Sequence, residues 1–184
     1  ANFGSVTFLR NNGDGTLTDC TIAAGLESAG IAFGAGVAFL DMDKDGDLDL
    51  YVADYVDFTF ERFHKLAPKS FPYPPGPNQF DYRHDRLFEN NGQGEFVDVS
   101  LQAGIAAYKS PSMGITCGDF DGDDDTDIFV CSDARPNLLF VNDGHGVFTQ
   151  EAELRAVAYN AQGIPVGSMG VDAADIDNDG LEDL

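Results

Sequence analysis

The 184-residue sequence has no tryptophan, three cysteines, three histidines and only ten basic side chains against 32 acidic ones, a formal charge of −22. Each scarcity excludes something. So few bases argue against nucleic acid and anionic membrane as partners, because both repel a surface this acidic. No apolar run approaches the roughly 18 residues of a membrane-spanning helix. No signal peptide is visible, but the first residues already read as structure, which leaves export open. His64, His84 and His145 are scattered and suggest no catalytic constellation. Gly34 and Gly36 precede a strand-like run rather than a helix, so a dinucleotide site is not expected. Ser112-Met113-Gly114 parallels Ser168-Met169-Gly170, so these serines read as loop-to-strand structure rather than nucleophiles. Cys20, Cys117 and Cys131 form an odd set, read as reduced residues packed on strands.

What is present points to an all-β chain. Hydrophobic residues make up 43% of the sequence, 15 of them Phe, which is enough for a packed core, and 21 glycines punctuate short apolar runs. Half of the 32 acids sit in three nine-residue windows, 41–49, 119–127 and 175–183. A merely solvated acidic surface would spread its charge. Crowding five or six carboxylates into nine residues is costly unless a cation sits among them.

The windows belong to a repeat. Leu9-Arg10-Asn11-Asn12-Gly13-Asp14-Gly15-Thr16-Leu17 returns as Phe88-Glu89-Asn90-Asn91-Gly92-Gln93-Gly94-Glu95-Phe96 and as Phe140-Val141-Asn142-Asp143-Gly144-His145-Gly146-Val147-Phe148. An Asn/Asp-Gly turn between apolar segments is a β-hairpin signal. About thirty residues after each turn comes an acidic window, flanked by strand-like runs such as Gly36-Val37-Ala38-Phe39-Leu40 and Leu50-Tyr51-Val52-Ala53. One unit is therefore an entering strand, an acidic loop, an exiting strand and a hairpin. Four-stranded antiparallel units repeating at 50–60 residues suggest β-propeller blades. The expected organisation is a single propeller segment over 1–184: a half blade at 1–33, a blade at 34–101, a blade at 112–152 and the start of another at 165–184.

The loops align as Asp41-Met42-Asp43-Lys44-Asp45-Gly46-Asp47-Leu48-Asp49, Asp119-Phe120-Asp121-Gly122-Asp123-Asp124-Asp125-Thr126-Asp127 and Asp175-Ile176-Asp177-Asn178-Asp179-Gly180-Leu181-Glu182-Asp183. Positions 1, 3, 5 and 9 are acidic in all three. Oxygen donors without His or Cys suit a hard cation, and flexible carboxylate loops favour Ca²⁺ over the more exacting Mg²⁺. Up to three Ca²⁺ sites are expected. Asp41, Asp43, Asp45 and Asp49 serve the first, Asp119, Asp121, Asp123 and Asp127 the second, and Asp175, Asp177, Asp179 and Asp183 the third. Position 7 (Asp47, Asp125, Leu181) offers its backbone carbonyl, and a Gly at position 6 permits the turn. In the second loop Gly122, at position 4, is expected to compensate for Asp124. The alternative of a solvated acidic turn weakens with three copies in register. An EF-hand requires an acid at position 12 and a following helix, whereas position 12 is Val52 or Val130 inside a β-rich run. Sites in different blades are expected to bind independently, so that Asp45→Ala weakens the first and spares the second.

Asp-x-Asp-x-Asp-Gly-x-x-Asp between strands, preceded by Phe33-Gly34-Ala35-Gly36 and alternating with Asn-Asn-Gly-Asp-Gly hairpins, resembles FG-GAP/VCBS repeats. These form the Ca²⁺-loaded β-propellers of integrin α-subunits and many secreted bacterial proteins. Asn90-Asn91-Gly92 through Asp98-Val99-Ser100 and Ala103-Gly104 is most similar to the cartilage-acidic-protein-like branch. The resemblance implies a propeller of about seven blades, so this chain is expected to be a piece of a longer, extracellular or periplasmic protein whose other blades are its partners. It also implies a structural and recognition role in adhesion or in protein or glycan binding. A portion of a secreted polysaccharide-acting enzyme is the alternative.

Asp49 to Asn90 spans 41 residues where Asp127 to Asn142 spans 15. The surplus, 55–84, holds eight of the 21 aromatics, five of the eight prolines and four of the ten bases. Phe71-Pro72-Tyr73-Pro74-Pro75-Gly76-Pro77 cannot be a central strand, and Arg62-Phe63-His64-Lys65-Leu66 suggests a helical turn. Either the aromatics cover a blade edge, or the segment is a flap contacting a protein or glycan ligand through exposed Tyr73, Phe80, Tyr82 and Arg83.

Overall fold

The structure, a computed structural model, describes residues 3–4, 6–29, 32–70 and 72–184. Part of the 1–33 unit and Phe71 of the Pro-rich run therefore lie outside the described residues. Among the described residues the fold is all-β apart from one helix and a few single turns. Strands β1 (Phe3–Gly4), β4 (Ala32–Leu40), β5 (Asp49–Asp54), β6 (Arg86–Asn90) and β7 (Phe96–Asp98) form one antiparallel sheet in that order. Strands β8 (Ser112–Gly118), β9 (Asp127–Ser132), β10 (Leu138–Asn142) and β11 (Phe148–Gln150) form a second, in sequential antiparallel order. A lone hairpin, β2 (Leu9–Asn11) with β3 (Leu17–Asp19), precedes them. These are β-propeller blades, each meandering outward from its entering strand. The first carries an unforeseen fifth strand, β1, added to the free edge of β4 through Phe3 opposite Phe33.

The exiting strands are buried throughout, and their alternation divides the core. Tyr51 joins Leu87, Ile128, Val130 and Phe140 in the layer between the two sheets. Leu50 and Val52 point the other way, with Phe88 and Phe96, onto Val6 and Leu26. In the second blade Phe129 and Cys131 pack with Leu139, Ala152 and Ala158. Each large side chain so buried contributes about 1.5–3 kcal/mol, which makes β5 and β9 the firmest elements to which an acidic loop is attached.

Glycine sets how closely the repeats approach. A Cβ on Gly36 would lie 2.3 Å from the Met113 carbonyl oxygen, and one on Gly114 would lie 2.8 Å from Gly170 Cα. Both glycines stand five residues before the first aspartate of their loop. Further out, Phe96 N–H donates to Ala24 O and Phe148 N–H to Ala103 O, each at 2.9 Å. The tail of one repeat thus catches the outer strand of the next.

The surplus segment contains α1 (Phe60–Ser70), longer than the single turn expected. Thr59 opens it, its hydroxyl accepting from Arg62 N–H at 3.1 Å. Pro68 lies near the C-terminal end, where the N–H it lacks and the crowding of its ring against the carbonyl four residues back disturb only the last turn, and the helix continues to Ser70. The Phe58 ring packs against Phe3, Phe33, Phe60, Phe63 and Phe80 with centroids 5.4–6.0 Å apart. These aromatics cover the β1/β4 edge. Of the residues proposed for a flap, Tyr73 is exposed, while Phe80, Tyr82 and Arg83 are half-buried. Among the described residues no helix is long and apolar enough to cross a membrane. Cys20, Cys117 and Cys131 are free thiols, but Cys20 follows β3 instead of lying on it, because the strand ends at Asp19. Burial pushes the Cys117 thiol up to about 12.

At the ends of the sheets away from the acidic loops lies a buried polar group. Asp85 accepts from Tyr51 O–H and Asp54 N–H, both at 2.8 Å, and Asp54 is held by Arg86 at 2.7 and 2.9 Å. Burial raises the Asp85 carboxyl to about 7, against the pull of those two hydrogen bonds. Since its folded value exceeds its unfolded one, the stability it contributes is full below about pH 4 and is lost as pH rises toward 7. At about 1.4 kcal/mol per unit the loss is of order 4 kcal/mol. Asp85→Asn, which keeps an acceptor but cannot ionise, is expected to flatten that slope. Urea unfolding of both proteins from pH 4 to 8 at fixed Ca²⁺ tests this; parallel curves would refute it.

Candidate metal centres

Each acidic loop connects an entering strand to an exiting one: β4 to β5, and β8 to β9. The third is closed by an isolated antiparallel bridge, Ala174 with Asp183. Inside every loop the first aspartate turns back on its own backbone. Asp41 Oδ2 accepts from Gly46 N–H (3.2 Å), and Asp119 accepts from the amides of Gly122, Asp123 and Asp124 (2.7–3.1 Å). Asp175 accepts from Asp179 and Gly180 (3.1 and 2.9 Å). Position 5 accepts from the amide of position 7 in all three loops, at 2.8–2.9 Å. The chain is thereby curled around a point on which carboxylates converge.

The curl needs two left-handed residues, not one. Position 6 has φ of +90° at Gly46, +68° at Asp124 and +91° at Gly180, and position 4 has +62° at Lys44, +82° at Gly122 and +63° at Asn178. Gly122 therefore does not compensate for Asp124. Position 4 is left-handed in every loop, and Asp124 adopts the same backbone as the glycines, as Asp tolerates better than most residues.

The fourth acid, position 9, is a staple. Asp49 accepts from Met42 N–H (3.0 Å) on one oxygen and Asn90 N–H (2.8 Å) on the other. Asp127 repeats this with Phe120 (3.0 Å) and Asn142 (2.9 Å). Asp183 accepts from Ile176 N–H (3.1 Å). Asp49 and Asp127 are almost fully buried. Burial raises both carboxyls to about 6, two amide donors pull each down, and the nearby carboxylates of positions 3 and 5 push each up.

Carboxylate oxygens of Asp41, Asp43 and Asp45 lie within 4.8 Å of one another, as do those of Asp119, Asp121 and Asp127 and those of Asp175, Asp177 and Asp183. The first loop thus gathers positions 1, 3 and 5, and the other two gather 1, 3 and 9. Asp49, Asp123 and Asp179 stand outside these tightest groups. The side chains at position 7 turn away: the Asp47 carboxylate lies against Gly92, and that of Asp125 against Gly144. Their backbone carbonyls are the donors left to them, as for Leu181. The donor set fits a hard cation, being all oxygen and strongly anionic. Asp41 Oδ1 is inaccessible to solvent and has no hydrogen-bond partner, so it is an oxygen for which a cation would supply the missing contact.

Residues outside the loops complete the centres. Asn90 and Asn142, which open the hairpin turns, donate from Nδ2 to the carbonyls of Leu48 (3.0 Å) and Thr126 (3.1 Å). Their Oδ1 atoms accept from the glycine amides of their own turns. The recurrence of Asn at this point in three hairpins was the available signal. Asn142 Nδ2 also donates to Met42 O (2.8 Å) in the preceding loop, and Lys44 pairs with Asp125. That contact is what raises the Lys44 ammonium. Arg155 binds Asp121 (2.9 Å) and Glu151 (2.8 Å). The first and second loops therefore touch, and the expectation that they are independent neglects this junction.

Comparison with known proteins adds three findings. A family profile described as FG-GAP-like repeat matches residues 1–52, 79–130 and 119–184. The unmatched stretch, 53–78, lies in the surplus segment but for the last two residues of β5. Cartilage acidic protein 1 of Mus musculus is 26% identical over 166 residues, which is 90% of this chain and 22% of that protein. Cartilage acidic protein 1 of Homo sapiens is 26% identical over 178 residues, 96% of this chain and 24% of that protein. The chain thus spans about a quarter of the length of the curated relatives it matches.

Proposed function

Since the chain belongs to the FG-GAP-like repeat family, we propose that it is a calcium-stabilised part of a β-propeller that presents a recognition surface outside the cytoplasm. The observation carrying this reading is the convergence of three carboxylate oxygens in each of three loops, with Asp41 Oδ1 left unpartnered in the first. When bound, Ca²⁺ would neutralise Asp41, Asp43, Asp45 and Asp49, the corresponding acids of the second loop, and Asp175, Asp177, Asp179 and Asp183. The carbonyls of Asp47, Asp125 and Leu181 would complete the shells. Loops of this kind are filled at the millimolar Ca²⁺ found outside cells, which supports an extracellular or periplasmic location. In this reading the units are a partial blade at 1–33, blades at 34–101 and 112–152, and a further one from 165, with the role lying in adhesion or ligand binding rather than catalysis.

A calorimetric Ca²⁺ titration of the chain and of Asp45→Ala tests the assignment. The parent is expected to bind more than one equivalent, and Asp45→Ala is expected to lose one. Because Lys44 and Asn142 join the first loop to the second, the remaining affinity should fall a few-fold; in Lys44→Ala, where that ion pair is gone, the second site should respond less to the state of the first. Absence of any Ca²⁺ heat or stoichiometry would overturn the reading.

A further inference from the structure

The second acidic loop is the most crowded of the three. It carries six acids in nine positions, where the first and third carry five each. It is also the loop that bases reach. Among the described residues the ion pairs to loop aspartates are Lys44 with Asp125 and Arg155 with Asp121 (2.9 Å). Both end in the second loop, although Lys44 itself stands at position 4 of the first.

Arg155 is the odd member of a repeated position. Each unit ends in a tail whose amides turn back in the same way: Ala24 N–H donates to Cys20 O, Ala103 N–H to Val99 O and Arg155 N–H to Glu151 O, at 2.8–2.9 Å. The next residue is left-handed in all three tails, with φ of +75° at Gly25, +84° at Gly104 and +60° at Ala156. At this place the first two tails have a buried alanine. The third has an arginine at the surface, whose guanidinium leaves the tail for the loop of its own blade. It donates to Asp121 through Nη2 and to Glu151 through Nε. The Asp121 side chain is only 15% exposed, so this pair is formed against the loop and not out in solvent.

We infer that Arg155 is a tethered counter-ion of the second loop that lowers the affinity of that loop for Ca²⁺. The inference rests on the calcium reading above and sets one site apart from the others. Asp121 is one of three aspartates whose oxygens converge in this loop. A cation held on it already supplies part of the charge that Ca²⁺ would bring, and it repels the ion when the ion is bound. Glu151 tempers the effect without cancelling it, because Asp121 belongs to the converging group and Glu151 does not. Lys44 acts on Asp125 in the same sense. A unit positive charge within several ångströms of a divalent ion, in surroundings open to water, costs about tenfold in affinity. In the empty loop the same charge is favourable, since it offsets carboxylate repulsion where that repulsion is greatest.

The test is calorimetric Ca²⁺ titration of the parent, Arg155→Gln, Arg155→Lys and Glu151→Gln at low ionic strength, with Asp123→Ala marking the heat that belongs to the second loop. Arg155→Gln keeps a hydrogen-bond donor without the charge, and is expected to tighten the second site by about tenfold and the first far less. Arg155→Lys keeps the charge and should bind as the parent does. Glu151→Gln leaves Arg155 to Asp121 alone and should loosen the second site a few-fold, an opposite shift that serves even if Arg155→Gln does not fold. Added salt should shrink both shifts. An arginine that merely oriented Asp121 would give a second site no tighter in Arg155→Gln than in the parent. That result, or equal tightening in Arg155→Gln and Arg155→Lys, overturns the inference and leaves the calcium reading standing. No Ca²⁺ heat in the parent removes both.

Discussion

Adding a calcium chelator is expected to lower the melting temperature by about 10–20 °C, and excess Ca²⁺ is expected to restore it. The size follows from linkage. A ligand at a hundred times its dissociation constant stabilises the native state by about 2.7 kcal/mol per site. Two filled sites give about 5 kcal/mol, and a domain of this length shifts by roughly 2–4 °C per kcal/mol. The structural cause is the crowding of carboxylates within 4.8 Å of one another at the mouths of β5 and β9. Without a cation their repulsion bears on Asp49 and Asp127, the staples that close each loop onto its hairpin. Mg²⁺ should restore less than Ca²⁺, because it demands a near-octahedral shell that these flexible loops do not prescribe. Differential scanning fluorimetry with chelator, Ca²⁺ and Mg²⁺ measures all three states. A melting temperature indifferent to chelator would remove the basis for the metal assignment.

Gly36→Ala is expected to be the most damaging single-methyl change in the chain. The added carbon would sit 2.3 Å from the Met113 carbonyl oxygen and 3.2 Å from Ile115 Cδ1. The first of these neighbours is backbone and cannot rotate away, so the second blade must move. That displaces Ile115 from its place against the layer shared by the two sheets. Overpacking of a core costs about 1–3 kcal/mol, and a clash with main chain belongs at or above the top of that range. The melting temperature should fall by about 6–12 °C. Gly76→Ala is the control, since its Cβ meets nothing within 4 Å and its φ of −83° suits any residue; it should melt with the parent. A Gly36→Ala protein as stable as the Gly76→Ala control would show that the blades do not approach as closely as described.

Much of this architecture is legible in the residues because the chain repeats itself. Three copies of Asn-x-Gly-x-Gly and three of Asp-x-Asp-x-Asp fix the order of strand, loop, strand and hairpin, and the observed strands follow that order. The acidic loops are legible for a local reason: their turns depend on residues within nine positions of one another. What escaped depends on distance. Asn142 reaches Met42 across 100 positions, and no spacing rule connects a hairpin to the loop of the preceding blade. Nor does sequence show that the first loop gathers positions 1, 3 and 5 while the second and third gather 1, 3 and 9, because that choice lies in side-chain rotation. Helix α1 runs over Phe60–Ser70 where only a turn at 62–66 is expected, although Thr59 before an amphipathic run is a good start signal. Strand β1 has two residues, too few for any periodicity, and its Phe3 meets Phe33 of β4 as well as Phe58 and Phe60 of the surplus segment.

The bonds from Phe96 to Ala24 and from Phe148 to Ala103 have the same partners, length and place in the repeat. Each joint is therefore made by main-chain atoms alone, at the same place in successive units. Side chains elsewhere in a unit can change without touching these two main-chain bonds, and a long excursion like 55–84 is carried by one unit while both bonds stay in place.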